Sequence, residues 1–509
     1  MSSDDSIALT DADLLVAIAE EHCDLCRSGA RGYATIAAGI GKRTLTLRSS
    51  TFLSTLRLMF RQLQGRVPPA SAVKNAITAL EDQASERREE RVFLRTGRYE
   101  SSVYIDLGDD SYQAVKVDPT GWSIVGDLPV RFTRGATMMS LPRPQSGGTV
   151  SLLRPFFNLA SPGEFQLLVT WCVAALMPDG PYPVIALAGE QGTGKTSFAR
   201  AVHDLVDPSR LPLRALPRSE RDLYISTANT HVLSFDNISV ISDWLSDAFC
   251  KIATGGGFST RALFTDEGEV VFEAVRPLLL NGIEEVVQRP DLADRAIVFN
   301  LPVIDPASRV DPQQLDEQFR LQRPVMFGVL LDLLALALAR LPEVKPERLP
   351  RMAGFARIGI AIESVFGPPG CFTQAYDANR AASSDLLLHG DPIAAAIVKL
   401  MSNRLAWQGT ATDLAKLLGT RMVPPKVLDP AALAGKLRRL APVLRARGID
   451  IAFDRASAKG RTRTIAMTRV VQAVGAPLAP SALSVLSDAT SSADGTDSAD
   501  GNGGRRSSC

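Results

Sequence analysis

The 509-residue chain is poor in the side chains that build disulfide frameworks and metal sites, with six cysteines and four histidines. The cysteines show no framework of paired spacings, and the chain starts without the apolar core of a secretory signal. We therefore expect a reducing, cytoplasmic compartment. Cys23 and Cys26, with His22 beside them, form half of a zinc or redox motif. No second C-x-x-C pattern and no pair of histidines three to five residues apart follows, which favours ordinary packing for these residues.

Net charge is also nearly absent, since 56 basic residues against 55 acidic ones give +1. This balance excludes a uniformly basic nucleic-acid coat, so any DNA-binding surface must be local. No run of the chain is a convincing membrane span, and we expect no membrane partner. The apolar run 165–177 is too short, and 326–341 carries Asp332 and Arg340, which fits a buried or amphipathic helix better.

Composition shifts divide the chain into predicted segments. Residues 1–90 are predicted to be mostly helical with a short β interruption at 32–47, and 91–150 to form a small β module. Residues 151–302 are predicted to form an α/β unit, 303–390 a helical region and 394–471 a separate small domain. Residues 475–509, rich in Ser, Ala, Asp and Gly, cannot bury enough apolar surface to fold and are predicted to be disordered.

What the chain does contain is a complete phosphate-binding loop at 189–196, which fits G-x-x-x-x-G-K-[ST] at every fixed position. The apolar run 183–188 predicts a buried strand before it, and 197–202 predicts a helix after it. Backbone N–H groups and the positive end of that helix would hold the β- and γ-phosphates of ATP. Lys195 would reach the phosphate oxygens, and the Thr196 hydroxyl would hold Mg²⁺. The predicted ATP-binding residues are Gly189, Gly192, Thr193, Gly194, Lys195, Thr196 and Ser197.

Two further predicted strands end in the polar side chains that an ATPase needs. Strand 232–237 delivers Asp236, an acid for Mg²⁺, and strand 277–282 ends at Asn281, placed to orient water or touch the γ-phosphate. Because the carboxyl ends of parallel strands meet at one edge, we expect both beside the loop. Arg295 comes next and is a candidate arginine finger. Each residue alone is also explained as a turn or a surface ion pair; their order after the loop indicates an ATPase.

This order resembles motifs A, B, B′ and C of the superfamily 3 helicases of viruses, plasmids and phage satellites, and of related ATP-binding proteins on bacterial mobile elements. The glycine-rich, basic stretch 254–266 stands at the B′ position, and Arg276 with Pro277 leads into motif C. The resemblance covers about 151–302 and is looser on either side. It implies an AAA+-like α/β P-loop core assembled as a homo-hexameric ring on single-stranded or forked DNA, with ATP sites shared between neighbours.

The resemblance also implies residue roles. Lys195 and Thr196 would bind phosphate and Mg²⁺, Asp236 would be the Walker B acid, and Asn281 would be the motif C sensor. Arg295 would complete the adjacent subunit's site. A hairpin predicted around 263–272, together with Arg261, would touch the DNA backbone.

Asn237 departs from the pattern of many AAA+ enzymes, in which a Glu after the Walker B Asp polarises the attacking water. An amide orients water but cannot take a proton. Phosphoryl transfer depends mainly on positioning and charge stabilisation, so turnover is still expected and its rate stays open. We count Lys195, Asp236, Asn237, Asn281 and Arg295 as the predicted catalytic set.

Residues 394–471 resemble a winged-helix DNA-binding domain, with helices at 410–418 and 431–447 followed by a hairpin that has a basic tip. The second helix would enter the major groove while the tip holds phosphates. The predicted DNA contacts here are Arg438, Arg439, Lys459, Arg461 and Arg463. A solvated helical face with a protein-binding hairpin is the alternative. The basic face of the helix also includes Lys436, Arg445 and Arg447.

The leading hypothesis is a DNA-dependent ATPase, a ring-forming helicase for mobile-element or phage replication, with a separate primase or replication protein as a further partner. The alternative is an ATP-controlled DNA-binding initiator or regulator without translocation, which Asn237 favours. A small-molecule kinase explains neither Asn281 nor the basic C-terminal module. Asp106, Asp109 and Asp110 resemble the metal-binding acids of archaeo-eukaryotic primases, but a turn between strands explains them better.

Overall fold

The computed structural model describes residues 9–256, 258–261, 269–272, 274–282, 286–305, 307, 309–346, 348–420, 427–455 and 463–469. Its first unit is α1 (Asp11–His22), β1 (Cys23–Ser28), β2 (Arg31–Ala38), β3 (Gly41–Thr46), α2 (Ser50–Gln64) and α3 (Ala70–Glu86). The strands form an antiparallel sheet in sequence order. The β segment therefore begins at Cys23, earlier than the predicted 32–47, because Leu25 and Cys26 are buried and Leu25 packs into the same core as α1 and α3.

A β module comes next in the chain. Its strands are β4 (Val92–Phe93), β5 (Thr96–Tyr99), β6 (Ser102–Asp106), β7 (Ala114–Asp118), β8 (Gly121–Val125) and β9 (Arg131–Phe132). Strands β5 to β8 make an antiparallel meander, and β4 pairs with β9 in parallel. Val103, Ile105 and Val115 are fully buried in one hydrophobic cluster with helices of the central unit. The meander thus shares a core with the central unit.

The central unit is α/β. Its elements are α4 (Pro162–Ala175), β10 (Val184–Ala188), α5 (Lys195–Val206), α6 (Glu220–Asn229), β11 (Leu233–Ile238), α7 (Asp243–Thr254), β12 (Phe258–Arg261), β13 (Glu269–Phe272), β14 (Leu278–Gly282), α8 (Pro290–Ala293), β15 (Ala296–Asn300), α9 (Pro312–Arg340), α10 (Ala353–Ile362) and α11 (Cys371–Gly390). Short 3₁₀ helices lie at Val150–Phe156 and Glu363–Val365. The parallel sheet runs β11-β14-β10-β15. Its strands are near-continuous apolar runs because helices cover both faces.

Helix α9 is long and apolar enough, by length and composition, to cross a membrane. In this fold 61% of its most apolar window is buried inside the protein. Its Asp332 accepts a hydrogen bond from the indole nitrogen of Trp122 in β8, at 2.8 Å. The helix therefore packs as a core element against the β module, with its apolar residues buried and Asp332 hydrogen-bonded at the contact with β8.

The C-terminal unit contains α12 (Pro392–Ser402), β16 (Ala406–Thr410), α13 (Ala411–Gly419), α14 (Pro430–Ala446), β17 (Ile449–Arg455) and β18 (Arg463–Arg469). The strands form an antiparallel sheet in the order β16-β18-β17. Thr410 starts α13 with a capping box, in which its hydroxyl and the Asp413 carboxylate satisfy each other's backbone N–H groups. Leu437 and Leu444 of α14 bury into the cluster that also covers one face of the parallel sheet.

A buried ion pair joins the β module to the central unit. Arg95 is fully buried, and its Nε lies 2.9 Å from the Oδ1 of Asp207, at the end of α5. The remaining Arg95 nitrogens donate to the carbonyls of Asp106 and Met139. Asp207 in turn accepts the backbone N–H groups of His231 and Val232. Every charged atom of the pair is therefore solvated by the protein, which such a pair requires.

Candidate nucleotide-binding site

The loop between β10 and α5 has the backbone of an anion cradle. Gly189, Gly192 and Gly194 have φ of +141°, +86° and +87°, which side-chain-bearing residues rarely adopt. At Gly189 a Cβ would also lie 2.9 Å from the carbonyl oxygen of Leu301. Gly194 is the residue before the first turn of α5, so the loop feeds directly into a helix N-terminus. Backbone N–H groups gathered at such an end bind phosphate.

Neighbouring segments fix the shape of this loop. The Nδ2 of Asn158 donates to the carbonyls of Thr193, at 3.0 Å, and Pro302, at 2.7 Å. Thr193 is buried, and its hydroxyl donates to the Glu190 carbonyl at 3.0 Å. Leu301 donates its backbone N–H to the carbonyl of Ala188 at 2.9 Å. The cradle is thus held before any ligand binds, which lowers the entropic cost of binding.

Lys195 and Thr196 lie where the motif predicts, at the start of α5. The Lys195 Nζ donates to the carbonyls of Gly189, at 2.6 Å, and Glu190, at 2.8 Å. Partial burial lowers the pKa of Lys195, and the nearby Asp236 carboxylate opposes that shift. The Thr196 hydroxyl lies 3.5 Å from the Oδ2 of Asp236. The loop and the acid of β11 therefore meet at one place.

Strand order explains why Asn281 joins them. Strand β14 lies between β10 and β11, and Asn281 pairs in register with Leu187, next to the loop. Its Nδ2 donates to the Asp236 Oδ1 at 2.5 Å. The Asn281 Oδ1 is buried without a hydrogen-bond partner among the described residues. A buried acceptor with an unmet bond is costly in a native protein, so this atom is suited to a donor from a ligand or its water.

Asn237 follows Asp236 with φ of +57°, in the left-handed region that Asn tolerates better than most residues. Its backbone N–H donates to the Asp236 Oδ1 at 2.8 Å, and the residue is exposed. The backbone at Asn237 thus helps to orient the acid, while the amide faces solvent beside the site.

Arg295 lies at the opposite edge of the sheet. Its carbonyl accepts from the N–H of Val184, the first residue of β10, whereas the loop begins after Ala188, the last one. Four residues of strand separate the two edges by roughly 13 Å. The Arg295 guanidinium donates to the Asp291 carbonyl, and its Nε is buried without a partner among the described residues. Within one chain, Arg295 and Lys195 are therefore not brought together.

The hairpin of β12 and β13 emerges at that same far edge. Helix α7 ends there, since the Ala253 carbonyl accepts from the N–H of Tyr182 just before β10. Phe258–Arg261 pairs antiparallel with Glu269–Phe272, which confirms a hairpin near the predicted one. The hairpin starts at Phe258, ahead of the predicted 263–272. The Arg261 side chain and residues 262–268 lie outside the described part of the chain.

The donor set suits Mg²⁺ only together with phosphate. In the described residues, no group of three or more His, Cys, Asp or Glu side chains is placed to hold a metal. Thr196 and Asp236 offer one hydroxyl and one carboxylate, which is how magnesium is held when phosphates supply further oxygens. Asp106, by contrast, is buried in a bidentate pair with Arg134, and Asp109 caps its own turn through Ser111. These contacts agree with the turn interpretation of that segment.

Two residues beside the loop were missed in the sequence. Asn158 holds the loop through the Thr193 carbonyl, and Arg309 approaches it from the segment after β15. A Cβ on Gly192 would lie 3.5 Å from the Arg309 Nη2, and one on Gly194 would lie 3.6 Å from Ile304. No motif marks Arg309, because its position depends on how the segment after β15 crosses the loop. It gives the site a cation from the same chain.

A cavity of about 850 Å³ opens where α4, β15 and α11 meet. One of its lining residues, Asn300, pairs in register with Ala188 at the start of the loop. Polar side chains in its wall include Arg154, Glu164, Gln166, Asn300 and Gln374. Burial raises the pKa of Glu164. This volume lies in the range of ligand pockets and is large enough for a nucleoside.

On α14, Arg438 and Arg439 were predicted to contact DNA. Arg438 and Arg439 are both exposed, and the Arg438 guanidinium lies 4.9 Å from the Phe453 ring centroid. Arg463 is exposed at the start of β18, while Lys459 and Arg461 lie outside the described residues. The predicted basic face of α14 is smaller than the sequence indicated. Each of its other cations pairs with an acid: Lys436 with Asp391, Arg445 with Asp450 and Arg447 with Asp385.

Comparison with solved structures gives loose likenesses. The SCCmec type IV Cch active helicase is 12% identical with a TM-score of 0.44, covering 88% of this chain and 93% of that one. The apo A form of the NrS-1 C-terminal region is 10% identical with a TM-score of 0.41, covering 91% of this chain and 100% of that one. At such low similarity neither likeness bears on function. No curated protein matches the chain.

Family comparison is more informative. Residues 150–388 match the family described as actinomycete integrative conjugative element replication protein. Residues 393–481 match the AICE RepA C-terminal domain. The two matches come in the order of the central and C-terminal units. From residue 150 to residue 481 the chain is therefore similar, almost without interruption, to the replication protein of actinomycete integrative conjugative elements.

Proposed function

We propose that this chain is a DNA-dependent ATPase for mobile-element replication, a ring-forming DNA helicase of the superfamily 3 type. The observation that carries the proposal is the meeting of Thr196, Asp236 and Asn281 at one edge of the parallel sheet, beside a complete phosphate loop. A small-molecule kinase would not need Asn281 in this position, so the arrangement favours an ATPase. The match to a replication family directs the proposal towards DNA.

In the proposed reaction, the loop N–H groups and Lys195 hold the β- and γ-phosphates of ATP. Lys195 would exchange its contacts with the Gly189 and Glu190 carbonyls for phosphate oxygens. Thr196 and Asp236 would hold Mg²⁺, which neutralises charge on the phosphates when bound. Asn281 would keep the Asp236 carboxylate in place and accept a hydrogen bond from the attacking water at its free Oδ1. The adenosine would occupy the cavity next to Asn300.

The position of Arg295 supports a shared site. Since it lies at the far edge of its own sheet, it can reach a γ-phosphate only in a neighbouring subunit. The β12–β13 hairpin lies at that edge as well, so the same face would contact the neighbour and the DNA. A closed ring places such unlike faces against each other, and we propose a hexamer. Arg309 would supply charge from the same chain.

The C-terminal unit is proposed to be a winged helix that holds duplex DNA. Its order of helix, strand, two helices and two strands suits that fold, with α14 as the recognition helix. Arg438 and Arg439 remain available to the groove and backbone, and Arg463 lies at the base of the wing. Residues 393–481 match the C-terminal domain of the replication family, which supports a role next to the ATPase core.

Strand displacement and ATP hydrolysis test the proposal. Wild-type protein should hydrolyse ATP faster when single-stranded DNA is added and should unwind a forked duplex. Lys195→Ala should lose both activities, whereas Arg200→Ala, exposed on the next turn of α5, should keep them. Full unwinding by Lys195→Ala would refute the helicase. Tight binding of ATP and DNA with turnover below about one per minute, against roughly 1–100 per second for phosphoryl-transfer enzymes, would establish the non-translocating regulator that Asn237 favours.

A further inference from the structure

A second polar cavity, of about 310 Å³, lies where the first sheet meets the β module, and its lining contains no residue of the phosphate loop. Residues of β2 and β3 line it together with residues 132–135. Asn229, the last residue of α6, also lines it. The backbone is tight there, since a Cβ on Gly135 would overlap the Asn229 carbonyl oxygen at 2.0 Å. The cavity is therefore built from all of the units that precede β11.

The wall of this cavity is strongly cationic. Four basic side chains line it against one carboxylate: Arg31, Lys42, Arg43 and Arg134 against Asp106. Two of these cations are neutralised by partners. Arg134 holds Asp106 through two nitrogens at 2.8 Å each, and Lys42 lies 3.6 Å from Asp127. Arg31 and Arg43 have no acidic partner among the residues that the structure describes.

The Tyr112 ring lies close to two of these arginines. The Arg134 guanidinium lies 4.3 Å from its ring centroid, and the Arg43 guanidinium lies 6.0 Å away. Arg134 is fixed by Asp106 and by the Asp109 carbonyl, so it forms a rigid support for one face of the ring. Arg43 has no such anchor among the described contacts. Arg134 is therefore held in place beside the ring, whereas Arg43 can move away when a ligand binds.

The backbone of Tyr112 is strained. Its φ is +54°, which is unfavourable for an aromatic residue and persists only where surrounding contacts impose it. The turn between β2 and β3 provides those contacts, because the Ile40 N–H donates to the Ser111 carbonyl and Gly41 packs against the Tyr112 carbonyl. Backbone strain of this kind is concentrated at binding sites, where it holds a side chain in an orientation that packing alone would not produce.

We propose that this cleft binds single-stranded DNA. Arg31 and Arg43 would contact successive phosphates, and Tyr112 would stack on a base with Arg134 behind it. Cations that follow the backbone, joined with an aromatic platform, are how single strands are bound without sequence preference. A cavity of 310 Å³ is at the small end of ligand pockets, which suits one nucleotide of a single strand and excludes a duplex.

This assignment rests on the proposed function only in that both involve DNA. It adds a DNA site whose proposed contacts, Arg31, Arg43, Tyr112 and Arg134, all precede the segment that matches the replication family. The cleft is also separate from the β12–β13 hairpin and from α14. A strand held here would enter or leave the ATPase beside α6.

Fluorescence anisotropy with a labelled oligo-dT of roughly 12 nucleotides, within the site sizes of single-strand binders, tests the cleft. The full chain is used in EDTA without ATP, so that nucleotide binding does not contribute. The double variant R31A/R43A should bind about tenfold more weakly. The slope of log affinity against log salt should fall by about 1.4, since each lost phosphate contact removes about 0.7 for single strands. R57A/R61A removes the same charge from the exposed face of α2 and should change neither quantity.

Tyr112→Phe should keep wild-type affinity because it keeps the ring, and Tyr112→Gly should lose affinity although it relieves the backbone strain. Equal losses in R31A/R43A and R57A/R61A, or no loss in either, would overturn the cleft. The cleft would also be overturned if the wild-type protein bound single-stranded and double-stranded DNA with equal affinity and R31A/R43A lost the same factor of affinity for both. If DNA still stimulates hydrolysis fully in R31A/R43A with unchanged affinity, the cleft is wrong and the ATPase proposal stands. If the wild-type protein lacks ATPase activity but R31A/R43A binds single-stranded DNA more weakly than the wild type, the ATPase proposal is wrong and the cleft stands.

Discussion

The side-chain amide of Asn281 lies 2.5 Å from the carboxylate of Asp236, and this hydrogen bond joins the carboxyl ends of β14 and β11. It uses the Asn281 nitrogen and leaves the Asn281 oxygen buried and free among the described residues. Asp236 also accepts the N–H of Asn237 at the same Oδ1. One carboxylate oxygen is therefore occupied by protein donors, and the other faces Thr196.

Replacing Asn281 by Ala should lower kcat roughly 100-fold while ATP affinity changes little, because a positioned polar group that acts in the transition state is removed. Asn403→Ala, at the exposed C-terminal end of α12, is the matched control and should keep most of its turnover. Steady-state ATPase kinetics with single-stranded DNA measures both. A large rise in KM at unchanged kcat for Asn281→Ala would contradict this role.

Mixing experiments separate Arg295 from Arg309. Arg295→Ala and Arg309→Ala should each lower kcat by about 1,000-fold or more if they act on the transferred phosphate. A mixture of Lys195→Ala and Arg295→Ala subunits should recover part of the activity, since some interfaces join an intact loop to an intact Arg295. A mixture of Lys195→Ala and Arg309→Ala should recover none, because both residues serve the same chain's loop. Recovery in both mixtures would show that Arg309 also acts across an interface.

Introducing the acid that many AAA+ enzymes carry at this position tests the role of Asn237. Asn237→Glu should raise turnover by roughly tenfold, towards the 10²-fold that a positioned base contributes. It should also lower the free energy of unfolding by about 1 kcal/mol, because Glu tolerates a positive φ less well than Asn. Asn237→Gly relieves the backbone without adding a carboxylate and should not accelerate hydrolysis. Turnover assays and urea denaturation give the two readouts.

Arg438 and Arg439 should contact DNA through α14. The double variant R438A/R439A should weaken duplex binding and reduce the salt slope by about 1.8, at about 0.9 for each lost contact on a duplex. Arg445→Ala, on the same helix but paired with Asp450 at 2.8 Å, should leave that slope unchanged. Electrophoretic shifts over a salt series test this. Duplex affinity that survives R438A/R439A intact would favour the alternative of a protein-binding surface.

Stability should fall as pH falls from about 6.5 to about 4. Burial lowers the pKa of His231 from its ordinary 6.5 to about 4, against the opposing charge of Asp207. The unfolded chain therefore binds a proton in this window while the folded chain does not. For His231, the free energy of unfolding should fall by about 3 kcal/mol over this pH range. Burial lowers the pKa of His203 as well, so its contribution has the same sign.

Urea denaturation across that pH range measures the effect. His231→Gln keeps a donor for the Ala175 carbonyl, which the ring nitrogen contacts at 2.7 Å, and should flatten the dependence. His22→Gln, exposed at the end of α1, should leave it unchanged. A profile of His231→Gln as steep as the wild type would mean that another group titrates.

The parallel sheet and the polar ends of its strands were predictable because each signal is local. A run such as 278–280 is apolar on both faces, and Asn281 interrupts it where the strand ends. The strand order was not predictable from that pattern, and it is the order that places Asn281 between Lys195 and Asp236. Asn158 and Arg309 were missed for the same reason. Each reaches the loop through packing between segments that are distant in sequence.

Predicting the charges on α14 was only partly correct. The helical spacing indicated a broad basic face. In the structure, however, Arg447 forms an ion pair with Asp385 on α11, and Lys436 forms one with Asp391 at the start of α12. Such pairs depend on how two units pack, which the sequence of one helix does not contain. Arg438 is different, because its partner Phe453 lies on β17, directly after α14.

The Arg95–Asp207 pair has a practical consequence for cutting the chain. A fragment that starts where the replication family begins, at residue 150, would keep the Asp207 carboxylate inside the protein and discard its cation. It would also uncover the face of α9 on which the β5–β8 meander lies. An isolated buried charge of this kind costs about 3–5 kcal/mol, a large part of the stability of an ordinary domain. The smallest autonomous fragment that carries the phosphate loop therefore begins upstream of β4, and family boundaries are a poor guide to expression boundaries here.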